Sequence, residues 1–180
     1  MLTLVSMIRA LNVGGANPLR MADLKAIHEA MGLTRVRTYL QSGNVVFDAS
    51  TDDTLRLEAE IEGRLLKDRG IAAKVAVRTH KALAAAAAAN PFAMRRGVDP
   101  KALYVTFLIR PSGRRSLAGV ELPVRPGEEA VLKRDAVYVY CPHGYGDTRL
   151  NNAFFERRLA CAATTRNWRT VNALLEMSAP

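Results

Sequence analysis

The chain has 180 residues, 49% hydrophobic and 24% charged, a length that buries roughly 70% of the unfolded surface in one solid domain or two small fused ones. That balance excludes a largely disordered chain, and no window approaches the roughly 18 apolar residues of a membrane helix. Two cysteines, Cys141 and Cys161, without zinc-type spacing exclude a disulfide framework and a structural metal site, while a formal charge of +9 invites an anionic partner.

In chain order, the apolar run 2–9 reads as a buried strand rather than a signal peptide, because it lacks a basic leading region and runs into Asn12 and two glycines. A cytoplasmic protein is expected. The segment 10–18, with Gly14-Gly15 and Asn17-Pro18, is a loop. Leu24, Ile27 and Met31 at helical spacing predict a helix over about 21–31, stopped by Gly32. Two β-prone runs then flank Ser42-Gly43. A two-residue turn there sets Leu40 against Val45, Tyr39 against Val46, Thr38 against Phe47 and Arg37 against Asp48, pairing like with like. A second helix is predicted over about 52–69, with Ser50 or Thr51 as N-cap and Leu57, Ile61 and Leu65 on one stripe. Residues 72–78 alternate as a half-buried strand.

The order β-α-β-β-α-β is that of the split βαβ, ferredoxin-like arrangement. An alanine-rich helix over 81–89 ends at Asn90-Pro91. The second half repeats the logic with a strand at 103–109, a short helix or turn near 112–119, a hairpin of 130–133 and 137–141 around Arg134-Asp135, a helix at 152–161 and a final helix at 168–177. The expectation is an α+β chain of two ferredoxin-like units, tandem or intertwined, with antiparallel sheets and helices on one face: residues 1–90 with a connecting helix, and the more basic 91–180.

Five motifs stand in order: Arg9 with Asn12-Val13-Gly14-Gly15-Ala16-Asn17; Met21-Ala22-Asp23-Leu24; the run from Thr38 to Phe47; Asn90-Pro91-Phe92; and Thr164-Thr165-Arg166-Asn167-Trp168. Together they resemble the uncharacterised bacterial group known as domain of unknown function family 1697, over nearly the whole chain. The resemblance implies a small cytoplasmic α+β protein of two ferredoxin-like units, and no established activity, cofactor or catalytic residue. Ala10 departs from it, standing where the family pattern usually has glycine.

The residues themselves offer two candidate sites. Gly14 and Gly15 lie between strand and helix, where backbone N–H groups can hold an anion, although a turn needing positive φ is the more ordinary explanation. Arg9, Asn12, Asn17, Gln41, Ser42 and Asn44 add polar groups from the same loop and the hairpin tip, as turn chemistry also does. Thr165, Arg166, Asn167 and Arg169 form the second site, at the start of the final helix. Thr164 and Thr165 are expected to cap that helix, and Arg166 and Arg169 bring cations to its positive end. Cys141 and His143 lack a third orienting group and do not read as a catalytic pair. No metal ligand set or cofactor motif is recognised.

The charge is uneven: residues 1–90 hold 12 basic and 9 acidic groups, residues 91–180 hold 14 and 8. Three classes of function stay open. The first is a binding domain for an anionic, phosphate-bearing ligand, a nucleotide or nucleic acid. The second is an enzyme acting on a phosphate- or carboxylate-bearing small molecule where Gly14, Gly15 and Arg166 converge. The third is a structural interaction domain.

Overall fold

The structure is a computed structural model that describes residues 1–15, 17–111 and 116–180. It divides into two compact units, residues 1–84 with 173–180, and residues 85–172. Each holds one four-stranded antiparallel sheet, and five α-helices occur among the described residues. The fold is α+β.

The first unit runs β1 (Leu2–Ile8), α1 (Met21–Glu29), β2 (Thr34–Tyr39), β3 (Asn44–Ala49), α2 (Thr54–Arg69) and β4 (Val75–Thr79), with sheet order β2-β3-β1-β4. Side chains alternate across a strand, so Leu4 and Ile8 of β1 share a face with Val45 and Phe47 of β3 and Val75 and Val77 of β4. Leu24 and Ile27 of α1 and Leu57, Ile61 and Leu65 of α2 pack on that face to form the core. Val5, Met7, Val46 and Ala76, on the opposite face, are buried as well. The half-buried strand expected around residue 76 is therefore closed on both sides. Along its outer edge, Glu58 and Glu62 of α2, four residues apart, accept the N–H groups of Val77 and Val75 at 2.9 and 3.1 Å.

Two local expectations are corrected. Asp53, not Ser50 or Thr51, caps α2, its carboxylate accepting the Arg56 N–H at 3.0 Å. The β2–β3 hairpin pairs Arg37 with Val46, Thr38 with Val45 and Tyr39 with Asn44, two residues away from the expected register. The loop is four residues long because Leu40 and Gly43 both have positive φ, 56° and 73°. Asn44 then closes it by donating to the Tyr39 carbonyl and the Ser42 hydroxyl, each at 3.0 Å. A bulge follows between Thr34 and Arg37, and Arg35 rather than Arg37 forms the ion pair with Asp48.

The second unit runs β5 (Leu103–Ile109), β6 (Glu129–Lys133), β7 (Ala136–Tyr140), α4 (Asn152–Leu159) and β8 (Ala162–Asn167), in the order β6-β7-β5-β8. Position for position this is the strand order of the first sheet. The two-residue turn at Arg134-Asp135 is as expected, with Lys133 opposite Ala136. Phe154, Phe155 and Leu159 of α4 pack on Leu108, Val137 and Val139. The helix or turn expected near 112–119 lies in part outside the described residues; the described part turns at 118–119, the Val120 N–H donating to the Leu117 carbonyl at 3.0 Å. Each sheet is followed directly by a helix, α3 (His80–Ala88) and α5 (Trp168–Met177), and the division between the units falls within both. Strand β8 was not anticipated.

Ser6 and His28 form the polar centre of the first core. His28 Nδ1 lies 2.9 Å from the Leu24 carbonyl, to which it must donate, so Nε2 accepts from the Ser6 hydroxyl at 3.0 Å. Burial among apolar groups, Phe47 included, pushes the imidazole pKa from 6.5 down to about 4. Protons therefore bind the unfolded chain first. Stability is complete above pH 6.5 and falls as the pH drops toward 4, by about 3 kcal/mol from this residue. Urea denaturation at pH 7 and pH 4.5 should show that loss in the wild type and a smaller one in His28→Gln; equal losses would refute the assignment.

Gly43 supplies a second test. A Cβ on it would sit 2.9 Å from Leu11 Cδ2 and 3.1 Å from Ile8 Cβ, in a backbone conformation that L-residues avoid. Gly43→Ala should cost about 1 to 3 kcal/mol, read as a lower thermal midpoint; an unchanged midpoint would mean that the tip does not seat on Leu11.

Candidate phosphate-binding cleft

Among the described residues between β1 and α1, Ala10, Asn12, Gly14, Gly15 and Asn17 have positive φ. Ala10, a non-glycine residue, is thus in the left-handed region. Such a loop needs side-chain ties, and asparagines supply them. Asn17 donates to the Ala10 carbonyl at 3.2 Å. Asn12 accepts the Leu19 N–H at 2.7 Å and donates to the carbonyls of Leu19 and Gln41, both at 2.8 Å. One carboxamide thereby joins the loop, the entry to α1 and the hairpin tip. The Ile8 N–H donates to the Gly43 carbonyl at 2.8 Å beneath it, with Leu11 fully buried alongside.

A cleft of about 410 Å³ opens beside this junction, lined by Asn12, Pro18, Leu19, Arg20, Asp23, Gln41 and Arg69. Arg20 occupies the N-cap position of α1 and makes no side-chain cap, so the helix opens toward solvent there with its first-turn N–H groups. Its guanidinium instead grips Asp23 with Nε and Nη2, at 2.9 and 3.2 Å. Arg69, the last residue of α2, reaches the same carboxylate at 3.2 Å. The hydrogen bond from Arg20 is the main reason the Asp23 carboxyl sits below the usual carboxylate range. Two cations share one anion.

Of the residues expected from sequence, Asn12 and Gln41 line this cleft, and Gly14, Gly15 and Asn17 belong to the loop that ends at it. Ser42 and Asn44 tie the hairpin tip internally, and the Arg9 N–H donates to the Lys74 carbonyl. Arg20, Asp23 and Arg69 escaped the sequence reading. Arg20 and Asp23 at i, i+3 across a helix start were a legible pair, but Arg69 is 46 positions further on and no local pattern joins it to them.

The second expected cluster is built differently from its prediction. Thr164, Thr165 and Arg166 are strand residues of β8, paired with Phe107, Thr106 and Val105, and it is Asn167 that caps α5, accepting the Thr170 N–H at 2.7 Å. Thr-Thr favours a strand as readily as a cap, and burial of Ala163 and Thr164 decides for the strand. The Arg166 guanidinium is buried, donating to the Thr164 hydroxyl at 2.7 Å and the Thr165 carbonyl at 2.9 Å, and burial lowers its pKa to about 10. Asn167 and Arg169, at the start of the helix, are exposed. Thr165 Oγ1 accepts from Tyr145 at 3.0 Å, donates to Asn152 Oδ1 at 2.6 Å and lies 2.7 Å from the Thr106 hydroxyl. That satisfied network binds sheet, turn and α4 together. Gly14 and Gly15 belong to the first unit, and Arg166 to the second.

Cys141 is buried and its thiol pushed up to about 11, chiefly by desolvation, which disables it as a nucleophile. Among the described residues no group of three potential ligands could hold a metal ion, and no helix is long and apolar enough to cross a membrane.

Comparison with curated protein sequences gives no match. Among solved structures, the chain is similar to the conserved bacterial protein SP0830 from Streptococcus pneumoniae, with a TM-score of 0.77 over 99% of both chains at 19% identity, a likeness of fold. The profile of the family described as "Protein of unknown function (DUF1697)" matches residues 1–138. Covering the loop, the cleft and more than half of the chain, that match places this chain in the DUF1697 family.

Proposed function

We propose that the protein is a cytoplasmic binding domain for a phosphate-bearing ligand of nucleotide type, taken up in the cleft at the start of α1. The observation that carries this reading is the meeting of Arg20 and Arg69 over the single carboxylate of Asp23, at a helix N-terminus without a side-chain cap. Guanidinium forks suit the oxygens of phosphate, and first-turn N–H groups with the helix dipole add to the attraction. Asp23 neutralises only one of the two cations. The cleft volume lies within the roughly 300 to 1,000 Å³ of small-molecule sites, and Pro18 and Leu19 give it an apolar wall against which a base can lie, with the Gln41 carboxamide at its rim. The excess charge of +9 favours approach of an anion.

We read each unit as ferredoxin-like, on the strand orders β2-β3-β1-β4 and β6-β7-β5-β8. In that reading the cleft lies at the first strand-to-helix connection of the first unit.

Calorimetric titration with pyrophosphate and with nucleoside mono- and diphosphates, on the wild type, Arg20→Ala and Arg69→Ala, tests the site. Each arginine removed should weaken binding by about 1.5 to 3 kcal/mol, the scale of a charge-assisted hydrogen bond. Affinity should also fall between roughly 50 and 200 mM salt. If none of these ligands binds the wild type at low salt, or if both variants bind as it does, the cleft is not the site.

A further inference from the structure

The charged residues lining the cleft are Arg20, Asp23 and Arg69, and they stand in two layers. The side chains of Arg20 and Arg69 are 84% and 43% exposed and that of Asp23 only 23%, so the carboxylate lies beneath and the cations face outward. Asp23 belongs to the first turn of α1, where its single methylene leaves the carboxylate little freedom. Both of its oxygens are engaged. Oδ2 accepts from Arg20 Nε at 2.9 Å, and Oδ1 accepts from Nη2 of both arginines, each at 3.2 Å.

The shared oxygen fixes a spacing. Each Nη2 atom is 3.2 Å from Asp23 Oδ1, so the two lie no more than twice that apart. Hydrogen bonds of about 2.8 Å from guanidinium to phosphate oxygens let one phosphoryl group span such a gap. Long, flexible arginine side chains of like charge do not keep this spacing unaided; the carboxylate between them does. Two guanidinium groups held side by side offer more donors than an anion with two free oxygens can accept. A carboxylate or a phosphodiester has two free oxygens. A phosphate monoester has three, enough to engage both arginines at once.

Resting on the reading of this cleft as a phosphate site, we propose that its ligand is a phosphate monoester, the terminal phosphate of a free nucleotide, and that Asp23 is the positioning residue that selects it by holding Arg20 and Arg69 at one spacing. The interior of a nucleic acid strand, all diester, is then the wrong ligand. Selection by spacing and selection by charge are separable here. A monoester carries close to two negative charges at neutral pH and a diester one, so net positive charge alone favours the monoester to some extent. Replacing Asp23 by a neutral residue raises the net charge of the lining, which strengthens a preference based on charge and weakens one based on spacing.

The test is calorimetric titration with a nucleoside 5′-monophosphate and with its 3′,5′-cyclic counterpart, which keeps base, sugar and phosphorus and lacks the third free oxygen. The wild type should prefer the 5′-monophosphate at least about tenfold, the worth of one further charge-assisted hydrogen bond. In Asp23→Ala the preference should fall to about threefold or less. Arg20→Lys keeps the charge and loses the fork; at so exposed a position it leaves the fold intact, and it too should lose the preference, which decides the matter if Asp23→Ala fails to fold. A preference that persists or grows in Asp23→Ala, or persists in Arg20→Lys, overturns the proposal, as does equal binding of the two nucleotides by the wild type. Binding of pyrophosphate but of neither nucleotide overturns the monoester reading alone; binding of none of the three overturns the phosphate reading of the cleft and this proposal with it.

Discussion

One carboxamide holds the loop end of the first unit in place. Asn12 answers the N–H and C=O of Leu19 and the carbonyl of Gln41, so three segments far apart in sequence share a single amide. Hydrogen bonds of this sort contribute about 0.5 to 1.5 kcal/mol each, and a loop whose described residues include left-handed Ala10, Asn12, Gly14, Gly15 and Asn17 needs them. The cost of the strained backbone at Ala10, Asn12 and Asn17 is offset locally, by side chains that only asparagine supplies in that conformation. The cleft opens beside that loop. Its arginines are set by the helices, Arg20 at the start of α1 and Arg69 at the end of α2, and each helix stays put because its apolar stripe is sealed against the sheet.

The two units reach one strand order by different means. The first covers its core face with two helices and centres it on a neutral histidine. The second places α4 over its sheet and ties it down with a cluster of hydroxyls around Thr165. Both arrangements obey the same rule: a polar group taken into the interior brings its partners with it. The apolar positions of the two sheets are interchangeable in kind, while the polar ones are particular to each.

What could be read from the sequence follows the range of the forces involved. Strand β5 and helix α5 have the limits expected, because apolar periodicity and a flanking stop signal are local. The β2–β3 register was missed because the Ser-Gly pair invites a two-residue turn, and only Gly43 seating on Leu11, from another segment, lengthens it. Strand β8 was missed because Ala-Ala-Thr-Thr has no alternation to speak of; it is a strand by virtue of β5 beside it. In the cleft, the asparagine and glutamine were visible as turn residues, and Arg69 was not, since a cation at the end of one helix carries no mark of the helix it will meet.

The two α2 carboxylates along the β4 edge set a limit of their own. The rise of four helical residues falls short of two strand residues by about 0.7 Å, and four residues overshoot one helical turn by about 40°. A third carboxylate would be displaced by about 1.4 Å and rotated roughly 80° away from the strand, beyond hydrogen-bonding reach. This way of closing a sheet therefore works only for short edges, and β4, five residues long with two outward N–H groups engaged, is close to the longest strand that one helix can cover.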